Sequence, residues 1–216
     1  MTRLILIRHG QSEANLKEIG AGQIDYPLTE LGRHQAVLAA RYLCANEKID
    51  AIYASDLQRA YDTARPTAEA LGLPIIQEPR LREIDTGEWA GMPFDVRRAR
   101  FPELARVLKE DYSHMRFPGG ESIVEVYRRV VPCICEIAKQ NDGKTVLIAS
   151  HAGALRTFLA FANGYAEDEV GKIQTGGENA NIHIHEWDAG NLRIVLSNFD
   201  GHLGESALRT AEHTKV

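Results

Sequence analysis

Two histidines in this chain stand directly behind short apolar runs. His9, in Arg8-His9-Gly10, follows Leu-Ile-Leu-Ile, and His151, in Ser150-His151-Ala152-Gly153, follows Val-Leu-Ile-Ala. A third run, 51–54, is followed by Ser55 and then by Arg59. A neutral imidazole is a nucleophile toward phosphorus, whereas its protonated form has no lone pair to give. Neighbouring guanidinium groups favour the neutral form and also bind phosphoryl oxygens. Arg8, Arg59, His9, His151 and a helix start would together form a phosphate-sized cationic nest. The same groups would spread charge on the equatorial oxygens during in-line transfer, with no metal required. Each residue also has an ordinary reading: a hydrogen-bonded strand-end His, a solvated helix Arg, a His that caps the following helix. Their arrival together at one sheet edge favours the chemistry.

That convergence depends on the elements that carry these residues. The runs 4–7, 51–54 and 146–149 are short, unbroken and apolar, as buried parallel strands are. Residues 73–77 make a further candidate strand. Thr29 suits an N-cap for a helix to about Asn46, with Leu31, Leu38, Tyr42 and Leu43 at helical spacing. Ser55-Asp56 opens a second helix, which Pro66 is expected to kink or restart. A third runs from about Glu121 to Gln140, bent at Pro132, and a fourth from Ala152 to near Asn163-Gly164. Residues 182–187 and 192–197 flank Asp188-Ala189-Gly190-Asn191 as a hairpin, so one strand must run antiparallel. In such sheets ligands gather beyond the carboxyl ends of the strands, where both histidines fall.

The chain has 216 residues, 44% hydrophobic and 25% charged, enough for a well-formed core without disulfides or metals. With 25 Lys plus Arg against 30 Asp plus Glu, its net charge of -5 disfavours nucleic acid as a partner. No run is long enough to span a bilayer or to serve as a signal-peptide core, so the expectation is a soluble, cytoplasmic protein with no membrane partner. Cys44, Cys133 and Cys135 form no CxxC pair and read as reduced thiols on helix faces. No linker divides the chain, and one α/β domain is expected over residues 1–203. Residues 204–216 would be a tail or a short last helix.

Leu6-Ile7-Arg8-His9-Gly10-Gln11-Ser12-Glu13-Ala14-Asn15 and Pro27-Leu28-Thr29 with Gly32 and Gln35-Ala36 resemble the opening of the histidine phosphatase superfamily, the phosphoglycerate mutase-like family. The resemblance continues through Ser55-Asp56-Leu57-Gln58-Arg59-Ala60, Leu81-Arg82-Glu83, Pro118-Gly119-Gly120-Glu121-Ser122 and Ser150-His151-Ala152-Gly153 with Arg156. It implies a three-layer α/β/α sandwich with a mostly parallel central sheet containing one antiparallel strand. It further implies a phosphohistidine on His9, with Arg8, Arg59, His151, Asn15 and the Ala152 backbone binding the phosphoryl group. Glu83 matches the family's proton donor; an alkoxide leaves poorly unless protonated, and the resulting carboxylate can activate water. Gln23 and Ser122 are assigned by the same resemblance to the substrate pocket. Ala14, Ala90 and Ala152 depart from frequent family residues without removing a reacting group.

The cofactor-dependent mutases carry a longer insert after the glutamate, with an Arg-Ser-Tyr element and a proline run, both absent here, and usually a Trp where Gln23 stands. The reading is therefore a metal-independent, cofactor-free phosphatase acting on small phosphorylated metabolites. A mutase-type phosphotransferase and a non-catalytic phospho-ligand binder are the alternatives, and a homodimer is left open. Residues 92–117, rich in Arg with Phe94, Phe101 and Phe117, would form a lid. Such a lid either grips a substrate carboxylate or second phosphate or presents an ordinary solvated face, the aromatic rings packing beneath it. His183 and His185 share one strand face but read as paired surface residues on an edge strand, not as a metal site. His202 would order the C-terminal segment.

Overall fold

The computed structural model describes residues 1–173 and 178–204. The expected tail beyond Gly204 lies outside them. The chain runs β1 (Thr2–Arg8), α1 (Glu13–Leu16), β2 (Ile19–Gly20), α2 (Glu30–Asn46), β3 (Ala51–Ala54), α3 (Gln58–Leu71) and β4 (Ile75–Gln77). It continues through β5 (Met92–Pro93), α4 (Phe94–Arg100), α5 (Pro102–Glu110), α6 (Ile123–Gln140), β6 (Thr145–Ser150), α7 (Ala152–Ala162), β7 (Ile182–Asp188) and β8 (Asn191–Phe199).

The main sheet has the order β4-β3-β6-β1-β7-β8. The first four strands are parallel, and β7 runs against both β1 and β8. This is the mixed sheet with one reversed strand that the sequence predicts. The hairpin closes as expected, Asp188 pairing with Asn191 across Ala189 and Gly190, both at positive φ as a two-residue turn demands.

Alternation along β1 builds two cores. Leu4 and Leu6 join Val146, Ile148 and the inner faces of α6 and α7; Ile5 and Ile7 join Ile52, Leu147 and residues of α2 and α3. Burial on both faces is why these strands read as continuous apolar runs. His183 and His185 are not surface residues of an edge strand. They sit on the α6–α7 side of β7, 3% and 0% exposed, because β8 lies outside them.

Neither internal proline interrupts its helix. α3 runs through Pro66 and α6 through Pro132. The buried stripes Ala60-Thr63-Ala64-Thr67-Ala68 and Val130-Val131-Cys133-Ile134-Ile137 continue on both sides of the prolines. Pro132 is exposed and Pro66 partly so, leaving water within reach of the freed carbonyls. The three cysteines are free thiols on α2 and α6, as expected. Residues 92–117 hold two helices, α4 and α5. Phe117 is buried and Phe101 and Tyr112 pack against the larger core, but Phe94 is exposed on α4 rather than beneath it. His202 packs against the rings of Tyr42 and Phe199. Among the described residues no helix is long and apolar enough to cross a membrane.

Candidate active site

β1, β3 and β6 are parallel, so their carboxyl ends deliver Arg8-His9, Ser55 and Ser150-His151 to one edge. The turn after β1 is pressed onto the start of α2. A Cβ on Gly10 would come within 2.5 Å of Gly32 O, and one on Gly32 within 2.0 Å of Gln11 O. Backbone meets backbone here, and glycine is the residue that permits it. His9 N–H donates to Ser150 O (2.9 Å), while His9 O accepts from Ala180 N–H and Asn179 Nδ2. These bonds fix the loop that aims the imidazole.

The His9 ring lies 2.7 Å from Gly10 O through Nδ1. A carbonyl only accepts, so Nδ1 carries the proton and Nε2 holds the lone pair. Burial, together with the Arg59 and Arg8 guanidinium groups, holds the imidazole well below its ordinary 6.5, so it is neutral near pH 7. His151 packs against it with ring centroids 5.2 Å apart. Its Nε2 is 2.9 Å from Ser55 Oγ, its Nδ1 is unpartnered among the described residues, and burial and Arg59 keep it neutral too.

A cavity of about 240 Å³ opens against His9. Arg8, Asn15, Arg59, Glu83 and Gly153 line it, with Gly20, Gly22, Phe94, Arg97 and Phe117. Arg59, 1% exposed, is anchored through Nη1 to Ile24 O (2.9 Å) and through Nη2 to Gly22 O (2.8 Å). Asn15 belongs to a capping box on α1. Its Oδ1 accepts from Ser12 N–H (3.0 Å), Ser12 Oγ and Asn179 Nδ2, which leaves its NH2 as the polar group for a ligand.

Glu83 stands at the opening of α7. Its carboxylate accepts from Gly153 N–H and Ala154 N–H, both at 3.1 Å, and from Ile84 N–H at 2.9 Å. First-turn amides of a helix lack intrahelical partners, and an anionic side chain satisfies them. Ala152 is the first residue of that helix. The backbone of Glu83 is held as well: its carbonyl accepts from Arg129 Nη2 (2.9 Å) and Gln23 Nε2 (3.1 Å). Arg129 also grips the carbonyls of Arg80 and Arg82 and the Glu121 carboxylate.

Of the residues singled out in the sequence, Arg8, His9, Asn15, Arg59 and Glu83 line the cavity; His151 packs against His9, and Ala152 precedes the lining residue Gly153. Gln23 buttresses the wall through Glu83 O, and Ser122 stands apart as the N-cap of α6, accepting from Glu125 N–H at 3.2 Å. The Ser-Ile-Val-Glu stretch is a capping-box pattern, which accounts for Ser122 without a substrate. Arg129 gives no sequence signal beyond being a polar residue off the apolar stripe of α6. Arg97 is one of several arginines in 92–117, and only its burial sets it apart.

A sequence profile of the histidine phosphatase superfamily (branch 1) matches residues 4–200. The chain belongs to this superfamily. A relative in Hydrogenobacter thermophilus named phosphoserine phosphatase 1 is 36% identical over 95% of this chain and 96% of its own length. A Methylobacterium radiotolerans relative named 2,3-bisphosphoglycerate-dependent phosphoglycerate mutase is 35% identical over 79% of this chain and 84% of its own. A Mycobacterium tuberculosis relative named a bifunctional protein is 40% identical over 94% of this chain, which spans about half of it, 55%. Among solved structures, the mycobacterial glucosyl-3-phosphoglycerate phosphatase in complex with VO3 superposes with a TM-score of 0.83 at 32% identity, covering 92% of this chain and 99% of that one. The histidine phosphatase fold is thus shared along nearly the whole described chain.

Proposed function

We propose that this histidine phosphatase hydrolyses small phosphomonoesters through a phosphohistidine on His9. The observation that carries the reading is a neutral imidazole, its Nδ1 tied to Gly10 O, lining one cavity with Arg8 and Arg59. Nε2 attacks phosphorus in line as the ester P–O bond breaks, and the protonated Glu83 carboxyl gives its proton to the departing oxygen. Water then attacks the phosphorus of the phosphohistidine and loses its proton to the Glu83 carboxylate. The P–N bond breaks, returning neutral His9 and inorganic phosphate. Arg8, Arg59 and Asn15 stabilise charge on the equatorial oxygens, and His151, packed against His9, is the further phosphate-binding group that the family resemblance assigns.

The small cavity suits a metabolite rather than a nucleic acid or a membrane, and the proposed setting is the cytoplasm. Residues 1–203 act as one catalytic unit, with 92–117 as its lid. The test is release of phosphate from p-nitrophenyl phosphate in excess chelator. His9→Ala should lose at least about a thousandfold in kcat, and rapid-quench mass spectrometry should find the wild-type imidazole phosphorylated during turnover; equal rates for the two proteins would defeat the assignment. Because one relative is named a mutase, isomerisation of 3-phosphoglycerate faster than its hydrolysis would replace this reading by phosphoryl transfer between metabolites.

A further inference from the structure

One cation of the cavity has no part in the transfer just described. Arg97, on α4, lines the same space as His9 and is 7% exposed. Its Nη2 donates to Gly20 O (2.9 Å) and Trp89 O (2.8 Å), and its Nε has no hydrogen-bond partner. Its guanidinium carbon lies 5.5 Å from the Trp89 ring centroid and 5.3 Å from that of Phe94. The seat is built for it: a Cβ on Gly20 would come within 1.5 Å of Arg97 Nη2. No carboxylate acts on it among the described residues; burial alone pulls its pKa down, to about 10, and it stays charged.

Carbonyls and aromatic faces offset part of the cost of burying that charge, and an anion would offset the rest. The charges in the lining point the same way. Glu83 and Glu178 act on Arg8, and Glu83 and Asp25 act on Arg59, whereas no acid acts on Arg97 among the described residues. Arg8 and Arg59 flank His9, where the phosphoryl group is proposed to bind, which leaves Arg97 free for a different anionic group. We propose that Arg97 is a specificity-determining residue that receives a second anionic group, a carboxylate, carried on the leaving group of the substrate. The compact cavity, about 240 Å³, favours a carboxylate over a second phosphate. This inference rests on the phosphatase reading above and narrows its substrate class.

The competing account is that Arg97 only clamps β2 to the Trp89 turn. Matched substrates separate the two: O-phosphoserine against O-phosphoethanolamine, and 3-phosphoglycerate against glycerol 3-phosphate, each pair differing by the carboxylate. The wild type should favour the carboxylate member by about tenfold or more in kcat/KM, the scale of a charge-assisted contact. Arg97→Gln, whose amide can still donate to Gly20 O and Trp89 O, should bring both ratios near one, and Arg97→Lys should retain part of the preference. Ratios near one in the wild type, or a variant that slows both members of each pair equally, would overturn the proposal. p-Nitrophenyl phosphate is measured alongside. Its hydrolysis with unchanged ratios defeats the Arg97 assignment alone, whereas no hydrolysis of any ester defeats the phosphatase reading and this inference with it.

Discussion

The contact of His9 Nδ1 with Gly10 O does two things at once: it selects a tautomer and it orients the ring. Burial and the two guanidinium groups then keep the proton off Nε2. A group whose pKa is lowered titrates only when the pH falls through that lower value, so His9 should already be neutral at pH 6. In 15N-histidine NMR spectra of the free protein, His9 should appear as the Nδ1–H tautomer with no titration between pH 8 and 6. Arg59→Met, which removes one of the cations, should move its midpoint upward. A wild-type midpoint at or above 6.5 would contradict this account. The tripeptide Arg8-His9-Gly10 announces this residue in the sequence, but the carbonyl that chooses the tautomer comes from a backbone bend that only the packing of Gly10 on Gly32 defines.

At the scale of elements, the meeting of α7 with the loop that carries Glu83 decides where the carboxyl proposed as proton donor stands. Amides of the helix's first turn hold the carboxylate, and Arg129 of α6 with Gln23 holds its backbone. Gly153 leaves room for this: a Cβ there would come within 2.5 Å of Glu83 Oε1. The obstructed atom is the end of a flexible side chain, so Gly153→Ala should fold normally with the carboxyl displaced. The expected outcome is a melting temperature within about 2 °C of wild type and a fall in kcat of about tenfold for alkyl phosphates, with a smaller fall for p-nitrophenyl phosphate, whose leaving group needs little protonation. Equal losses on both substrates would show that Gly153 does not act through the proton donor. Strand ends and helix starts were legible in the sequence because they depend on local pattern and capping chemistry. The apolar stripe also carried α6 through Pro132, but the uninterrupted course of α3 through Pro66 was not legible, because it is maintained by a buried face packed on elements from elsewhere in the chain.

For the whole molecule, the reversed strand β7 places two imidazoles inside the core. His183 meets Asn181, Ser197 and the Asn198 N–H, while His185 lies edge-on to Phe158, 5.8 Å between centroids. Burial pushes each pKa down to about 4. The unfolded chain binds these protons at about 6.5, so between 6.5 and 4 it holds more of them than the native state does, and stability must fall as the pH drops through that window. Each shift corresponds to at most about 3 kcal/mol. Denaturant unfolding at pH 7 and pH 4.5 should therefore show a loss of stability that His185→Leu reduces by about 2 kcal/mol. An identical pH dependence in wild type and variant would remove His185 from the explanation.

The sequence by itself determined the strand ends, the side of the sheet on which the chemistry lies, the two-sided core and the family to which the chain belongs. All of these follow from runs, caps and motifs contained within a few neighbouring residues. Tertiary structure alone decided which of the five arginines in residues 92–117 turns inward, that Ser122 is not among the residues lining the cavity, and that the His151 ring packs against that of His9. Those outcomes depend on side chains that meet from segments far apart in the chain. Burial and charge balance belong to the assembled cavity and to no single stretch of residues.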